Sequence, residues 1–330
     1  MTVWLAFLAS GALVAGAGFR LARGGDTIAA GTGLGGLWVG AILVAGVTSL
    51  PELTTDASAI LQGNPDLAVG DLLGSSMANM MILAVADLLT RDTRLLTRVA
   101  VNQALLGSLA IFLTTMAVLG ILGGSSDGAL GFGWPAAMIG IAYVAGIRLI
   151  HRNREAPPFR TPAEVAEARP GRPALRRAVI EFSVAALVIF LAAPFLARSA
   201  GDLSAQLGLA QGFVGMLFLA VATSLPEAAV TIAAVRAGWY NLAVGNLLGS
   251  NCFNMAAVVP LDAVEGPGSL LGAVDPALAI PGLFAVLLMG LALLDVLNKS
   301  ERRLWAIEPG PAAMMLVYLV GLYLSFRGAR

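Results

Sequence analysis

Apolar residues in this chain come in long runs separated by short polar stretches. Crossing a hydrocarbon layer takes about 20 predominantly apolar residues. Ten runs meet that length, at roughly 2–20, 36–61, 66–89, 97–120, 132–150, 177–197, 211–236, 240–262, 272–297 and 312–327. None alternates apolar and polar positions as a lipid-facing barrel strand would. The pattern predicts an all-α integral membrane protein of ten transmembrane helices. The first run has no basic residue ahead of it, unlike a secretory signal, and reads as an uncleaved membrane helix.

Composition agrees. Of 330 residues, 58% are hydrophobic and 12% charged, with a mean hydropathy of +0.84, whereas a soluble domain carries about 25% charge. Cys252 is the only cysteine, which excludes an internal disulfide, and a packed apolar role is its expected one. His151 is the only histidine and falls in an Arg-rich polar loop. A zinc protease needs an HExxH helix, and a serine enzyme needs a base beside its nucleophile, so no enzyme and no cofactor are expected. The partners expected are inorganic cations and the lipid bilayer, with no nucleic acid and no obligate protein partner.

The placement of basic residues orients the chain. With ten spans, the loops after the odd-numbered helices share one side of the membrane. Those loops hold all but three, Arg198, Arg327 and Arg330, of the 20 Lys and Arg residues. Such a bias places them in the cytoplasm and both termini outside, in the plasma (inner) membrane.

The sequence also repeats itself. Thr48-Ser49-Leu50-Pro51-Glu52 recurs as Thr223-Ser224-Leu225-Pro226-Glu227, each inside an apolar run. Gly70-Asp71-Leu72-Leu73-Gly74-Ser75 recurs as Gly245-Asn246-Leu247-Leu248-Gly249-Ser250, again 175 positions later. Asn79 and Asn254 keep the same register. This internal repeat divides the chain into a first five-helix half, 1–150, a cytoplasmic linker, 151–176, rich in Arg, Pro, Glu and Ala, and a second five-helix half, 177–330. Five is odd, so the halves enter the membrane in opposite directions: they are inverted repeats, as in many secondary transporters.

Each copy of the repeat places a proline and a glutamate at mid-membrane depth. The proline removes a backbone hydrogen bond, and in lipid the freed carbonyl needs another partner. A carboxylate there costs on the order of 3 kcal/mol or more, yet no Lys or Arg lies in the interior of any run. Glu52 and Glu227 must therefore be protonated or bound to cations. On the following helix, Asp71, Ser75 and Asn79 share one face, as do Asn246, Ser250 and Asn254. Gly70, Gly74, Gly245 and Gly249 allow close helix approach. Hard oxygen ligands with two carboxylates suit Ca²⁺ or Na⁺, not zinc or copper.

This twice-repeated pattern, over about 36–85 and 211–260, resembles the alpha repeats of the sodium/calcium exchanger family, in the calcium:cation antiporter superfamily. The resemblance implies a ten-helix antiporter with four central ligands at the midplane: Glu52, Asn79, Glu227 and Asn254. It implies flanking ligands at Thr48, Ser49, Ser75, Thr223, Ser224 and Ser250, with backbone carbonyls near Ala45 and Ala220. It also implies that Ca²⁺ and Na⁺ compete for this set, and that helices one and six slide against the other eight.

The chain departs from the family at several positions. Asn254 stands where an aspartate is common, Asp71 where asparagine is usual, and Ser76 replaces an asparagine. Asp71, two turns from Asn79, is expected to line the access route together with Asn246. Asp56, one turn beyond Glu52, has no acidic counterpart at Thr231. The function expected is Ca²⁺/Na⁺ antiport by alternating access. The alternatives are H⁺-coupled cation exchange and, in a different class, a cation channel, which would need a continuous filter.

Overall fold

The computed structural model describes residues 2–32, 45–90, 95–96, 102–124, 133–152, 171–298 and 309–328. The described residues are helical, with no strand among them. The first half comprises α1 (Thr2–Thr32), α2 (Ala45–Thr48), α3 (Leu50–Leu61), α4 (Pro65–Leu89), α5 (Asn102–Gly123) and α6 (Trp134–Arg152). The second begins with α7 (Arg172–Leu207) and α8 (Gln211–Val214), followed by a π-helical turn, Gly215–Leu219, then α9 (Ala220–Thr223), α10 (Leu225–Arg236) and α11 (Tyr240–Glu265). It ends with α12 (Leu270–Ala273), a 3₁₀ turn at Pro276–Leu278, α13 (Ala279–Asn298) and α14 (Pro309–Gly328).

Seven of these helices are long and apolar enough to span a membrane, or eight if Gln211–Thr223 and Leu225–Arg236, bent by 45° at their junction, make one broken span. Trp134–Ile150 is a shorter apolar helix. The expected span 36–61 begins outside the described residues, as do 97–101, most of the linker 151–176, and loop residues including Arg91, Arg94, Arg98, Lys299, Arg302 and Arg303. Large side chains on the outer face, such as Leu8, Ile141, Phe190, Phe195 and Leu316, are exposed. In a bilayer that surface meets acyl chains instead of water.

Two helices outrun their apolar stretches. α1 continues to Thr32, so Arg20 and Arg23 lie within it and not in a loop; α7 spans Arg172–Leu207 and so contains Arg198. Hydropathy reports only the apolar part of a helix, and backbone hydrogen bonding carries on through polar residues beyond it. These two long helices pack along each other on one side of the bundle. The expected span 272–297 is also interrupted: Val274 is extended, and the membrane helix starts at Ala279.

The repeat is visible in the backbone. Both proline-containing runs break one residue before a Leu-Pro-Glu sequence. Ser49 has φ −87°, ψ 6° and Ser224 has φ −85°, ψ 5°. Proline is tolerated in a first helical turn, where an amide hydrogen has no partner anyway. Pro51 and Pro226 therefore begin new helices instead of kinking old ones. The correspondence extends past the residues matched in sequence. Asp87 accepts from the Leu96 amide (3.3 Å), and Asp262, 175 positions later, accepts from Leu270 and Gly133 (both 2.7 Å). Both acids tie down the chain beyond their helices.

Glycine lets the central helices touch. A Cβ at Gly70 or Gly74 of α4 would overlap the backbone of Gly212 or Met216, and one at Gly215 would overlap the Leu67 carbonyl. Gly245 faces the Gln103 side chain instead, its Cβ position lying 3.3 Å away. On α1, a Cβ at Gly18 would overlap Pro226 and touch Pro51 at 3.5 Å, so α1 crosses over both helix breaks.

Candidate functional site

α3 and α10 start at the centre of the molecule with a glutamate in the first turn of each. That position favours negative charge, because the unpaired amides of a helix start are partly positive. Glu52 and Glu227 are fully buried, at 1% and 0% exposure. Each is held by the serine of the other half: Ser49 Oγ donates to Glu227 Oε1 (3.3 Å) and Ser224 Oγ donates to Glu52 Oε1 (3.4 Å). Thr48 and Ser250, themselves 3.5 Å apart, also lie beside the Glu227 carboxyl. All the buried charged side chains among the described residues are acidic.

The asparagines differ from one another. Asn79 Nδ2 donates to Asn251 Oδ1 (2.9 Å), and Asn251 Nδ2 donates to the Ser76 carbonyl (3.3 Å). Asn251 thereby fixes the Asn79 amide with its oxygen free. Its repeat counterpart is Ser76, whose hydroxyl donates to its own helix at Leu72 (2.9 Å) and does not reach across. Neither amide atom of Asn254 has a protein partner. Asn251 was not among the residues singled out by sequence. Its signal was available: it stands where the first repeat carries Ser76, a position already noted as a departure.

The hydroxyls are shared unequally. Thr48 donates to the Ala45 carbonyl (3.1 Å), and the Thr223 hydroxyl has the Leu219 (3.0 Å) and Ala220 (3.4 Å) carbonyls and Asp71 Oδ1 (3.2 Å) as alternative acceptors. Ala45 and Ala220 also accept from the Ser49 and Ser224 amides, both at 3.0 Å. A cation bound at either carbonyl would compete with the threonine. Ser75 and Thr223 donate to Asp71 Oδ1, at 3.3 and 3.2 Å. Asp71 thus touches two of the expected flanking ligands and is closer to the central group than its place on the helix suggested. Asn246, its counterpart, donates to the Glu227 carbonyl (3.3 Å) and to Thr231 Oγ1 (3.2 Å). Cys252 is buried and packs as a small apolar side chain.

The chemistry left over is specific. Glu52 Oε2, Glu227 Oε2, Asn79 Oδ1 and Asn254 Oδ1 are all buried without a hydrogen-bond partner. Orphaned buried acceptors are costly; these four belong to the residues expected as central ligands, and others nearby are Thr55 Oγ1, both Asp56 oxygens and Asn246 Oδ1. An oxygen-only set of carboxylates, amides and hydroxyls fits a hard cation. No group of three or more His, Cys, Asp or Glu that could hold a metal occurs among the described residues.

Comparison with known proteins gives the same direction. The family described as sodium/calcium exchanger protein matches residues 2–146 and 178–327. A putative antiporter, CaxA, of Alkalimonas amylolytica is 29% identical over 291 residues, covering 86% of this chain and 88% of that one. The crystal structure of an H⁺/Ca²⁺ exchanger, CAX, is similar with a TM-score of 0.77 at 15% identity, over 99% of this chain and 84% of that one. The sodium-calcium exchanger NCX_Mj gives a TM-score of 0.61 at 17% identity, over 98% of each chain. The chain belongs to the sodium/calcium exchanger protein family, and is a multi-pass membrane protein.

Proposed function

We propose that this family member exchanges Ca²⁺ for Na⁺ across the plasma (inner) membrane, by alternating access to one midplane site. Glu52 and Glu227 supply the charge that balances one Ca²⁺ or two Na⁺. Asn79 and Asn254 complete the centre, and Thr48, Ser49, Ser75, Thr223, Ser224 and Ser250 flank it. The observation that carries this reading is the set of four buried side-chain oxygens, one on each central residue, that no protein donor satisfies. Because the two cation loads use the same carboxylates, binding one excludes the other, and that exclusion couples the flows.

The halves 1–150 and 177–330, joined by a cytoplasmic linker at 151–176, leave both termini outside. The basic-residue bias supports this topology, and so does the gap between the two family-matched blocks. α1 and α7 are long and packed on each other, and α1 crosses over the two helix breaks, which suits them to slide as a pair. A second reading, H⁺-coupled exchange, is favoured by Asn254: without a third central acid, two adjacent carboxylates can share a proton. Calcium-45 uptake into vesicles of purified protein tests both. Uptake driven by an outward Na⁺ gradient alone is expected. Uptake driven by protons alone would move the coupling to the second reading, and no uptake under either gradient would overturn calcium exchange.

A further inference from the structure

Asp56 and Asp71 meet one helical turn from Glu52, where α3 packs on α4. Both are fully buried, at 0% exposure, and close enough for their carboxyl groups to interact. Asp71 is supplied with donors by Ser75 and Thr223. Asp56 is not: neither of its carboxyl oxygens has a donor. No Lys or Arg among the described residues is buried, so no side-chain cation offsets the two acids. Leaving even one carboxylate buried and uncompensated costs several kcal/mol.

The other half shows what this position needs for packing alone. The residues 175 positions later are Thr231 and Asn246. There the amide donates to the hydroxyl at 3.2 Å and to the Glu227 carbonyl at 3.3 Å, a neutral contact. The same helix pairing therefore closes without any acid. Two acids in the first half add charge that the fold does not require.

We propose that Asp56 and Asp71 form a second cation site, for Ca²⁺, one helical turn from the central site toward the C-terminal end of α3. Two carboxylates balance a divalent charge, and both Asp56 oxygens are available as hard ligands. The site is wired to the centre. Ser75 and Thr223, flanking hydroxyls of the central group, lie 3.3 and 3.2 Å from Asp71 Oδ1. Thr48 and Ser250 lie beside Glu227, whereas their repeat counterparts, Thr223 and Ser75, approach Asp71 instead. Under the proposed topology the pair lies on the extracytoplasmic side, so a cation using that side meets it before the centre. This transport meaning rests on the exchanger reading, but binding at the pair does not.

Equilibrium binding of calcium-45 to the purified full-length protein in detergent tests the site without transport. The wild type is expected to hold two Ca²⁺ per chain at saturation. D56T/D71N, which carries the side chains of the second half, is expected to hold one. E52Q/E227Q is also expected to hold one, and the four substitutions together none. If D56T/D71N fails to fold, the near-isosteric Asp56→Asn is expected to lower the count in its place. Equal Ca²⁺ binding by the wild type and the folded pair variant would overturn the proposal and leave a shared proton as the means of neutralising the two acids. Failure of the central-site reading would look different: E52Q/E227Q would then transport and bind like the wild type, whatever the pair variant does.

Discussion

Ser49 and Glu227 belong to opposite halves of the chain, yet Ser49 Oγ donates to Glu227 Oε1 at 3.3 Å, and Ser224 returns the contact to Glu52 at 3.4 Å. Each glutamate is positioned by the residue at which the other half's helix breaks. Neither half alone assembles the centre, and a shift of one half against the other alters both carboxylates together.

The carboxylates are the charge of the proposed site. Glu52→Gln and Glu227→Gln are each expected to reduce Ca²⁺ transport at least ~100-fold, since each removes half of the compensating charge from a buried position. The protein should remain folded, because a neutral amide is cheaper to bury than a carboxylate. Calcium-45 flux together with size-exclusion behaviour checks this. Full activity in both variants would remove these residues from the site.

The serines act on carboxylate position. Ser49→Ala and Ser224→Ala each delete one donor to a buried carboxylate, worth about 1–2 kcal/mol, and should weaken Ca²⁺ binding about tenfold each. Comparable losses from the two substitutions would reflect the reciprocal contact. A loss confined to one of them would show that the two glutamates do not bear cation equally. Calorimetric titration of the purified variants measures this.

Asn251 touches Asn79 and not the carboxylates. Asn251→Ser, which copies residue 76, releases the Asn79 amide and should lower Ca²⁺ affinity about tenfold while the maximal exchange rate stays near the wild-type value. Initial exchange rates over a range of Ca²⁺ concentrations separate the two quantities. A fall in maximal rate with unchanged affinity would argue against an orienting role.

Gly18 tests the motion proposed for α1 and α7. A side chain there meets Pro226 and Pro51 at the two breaks. Gly18→Leu should slow exchange severely while equilibrium Ca²⁺ binding remains within about threefold, because overpacking by one side chain typically costs only ~1–3 kcal/mol. Unchanged exchange in a folded Gly18→Leu protein would show that α1 need not move past the prolines.

Asp262 is structural. Its two short bonds from Gly133 and Leu270 tie the regions next to α6 and α12 to the end of α11. Asp262→Ala strands two buried amides, and about 2–5 kcal/mol of stability should be lost. A lower thermal midpoint with unaltered Ca²⁺ affinity is the expected outcome.

Much of the architecture was legible in the sequence. Hydropathy marked the apolar runs, because lipid demands continuous apolar length. The 175-residue offset marked the repeat, and Pro51 and Pro226 marked the breaks, because proline cannot donate. Glu52 and Glu227 stood out because acids are costly at that depth. Helix ends were less legible: α1 and α7 continue through arginines that hydropathy assigned to loops. The π-helical turn at 215–219 had no sequence mark, as it depends on how closely α4 approaches.

The sequence by itself determined which residues are costly to bury, that the chain is built of apolar helices, and that the halves are related. Only the tertiary structure decided who meets whom: Ser49 with Glu227, Asn251 with Asn79, Thr223 with Asp71, and Asp56 with an acid where its counterpart has an amide. Periodicity fixes the face of a helix on which a residue lies. The rotation and depth at which two helices more than 150 positions apart come together depend on the closest approach their glycines permit, and that is a property of the packed whole.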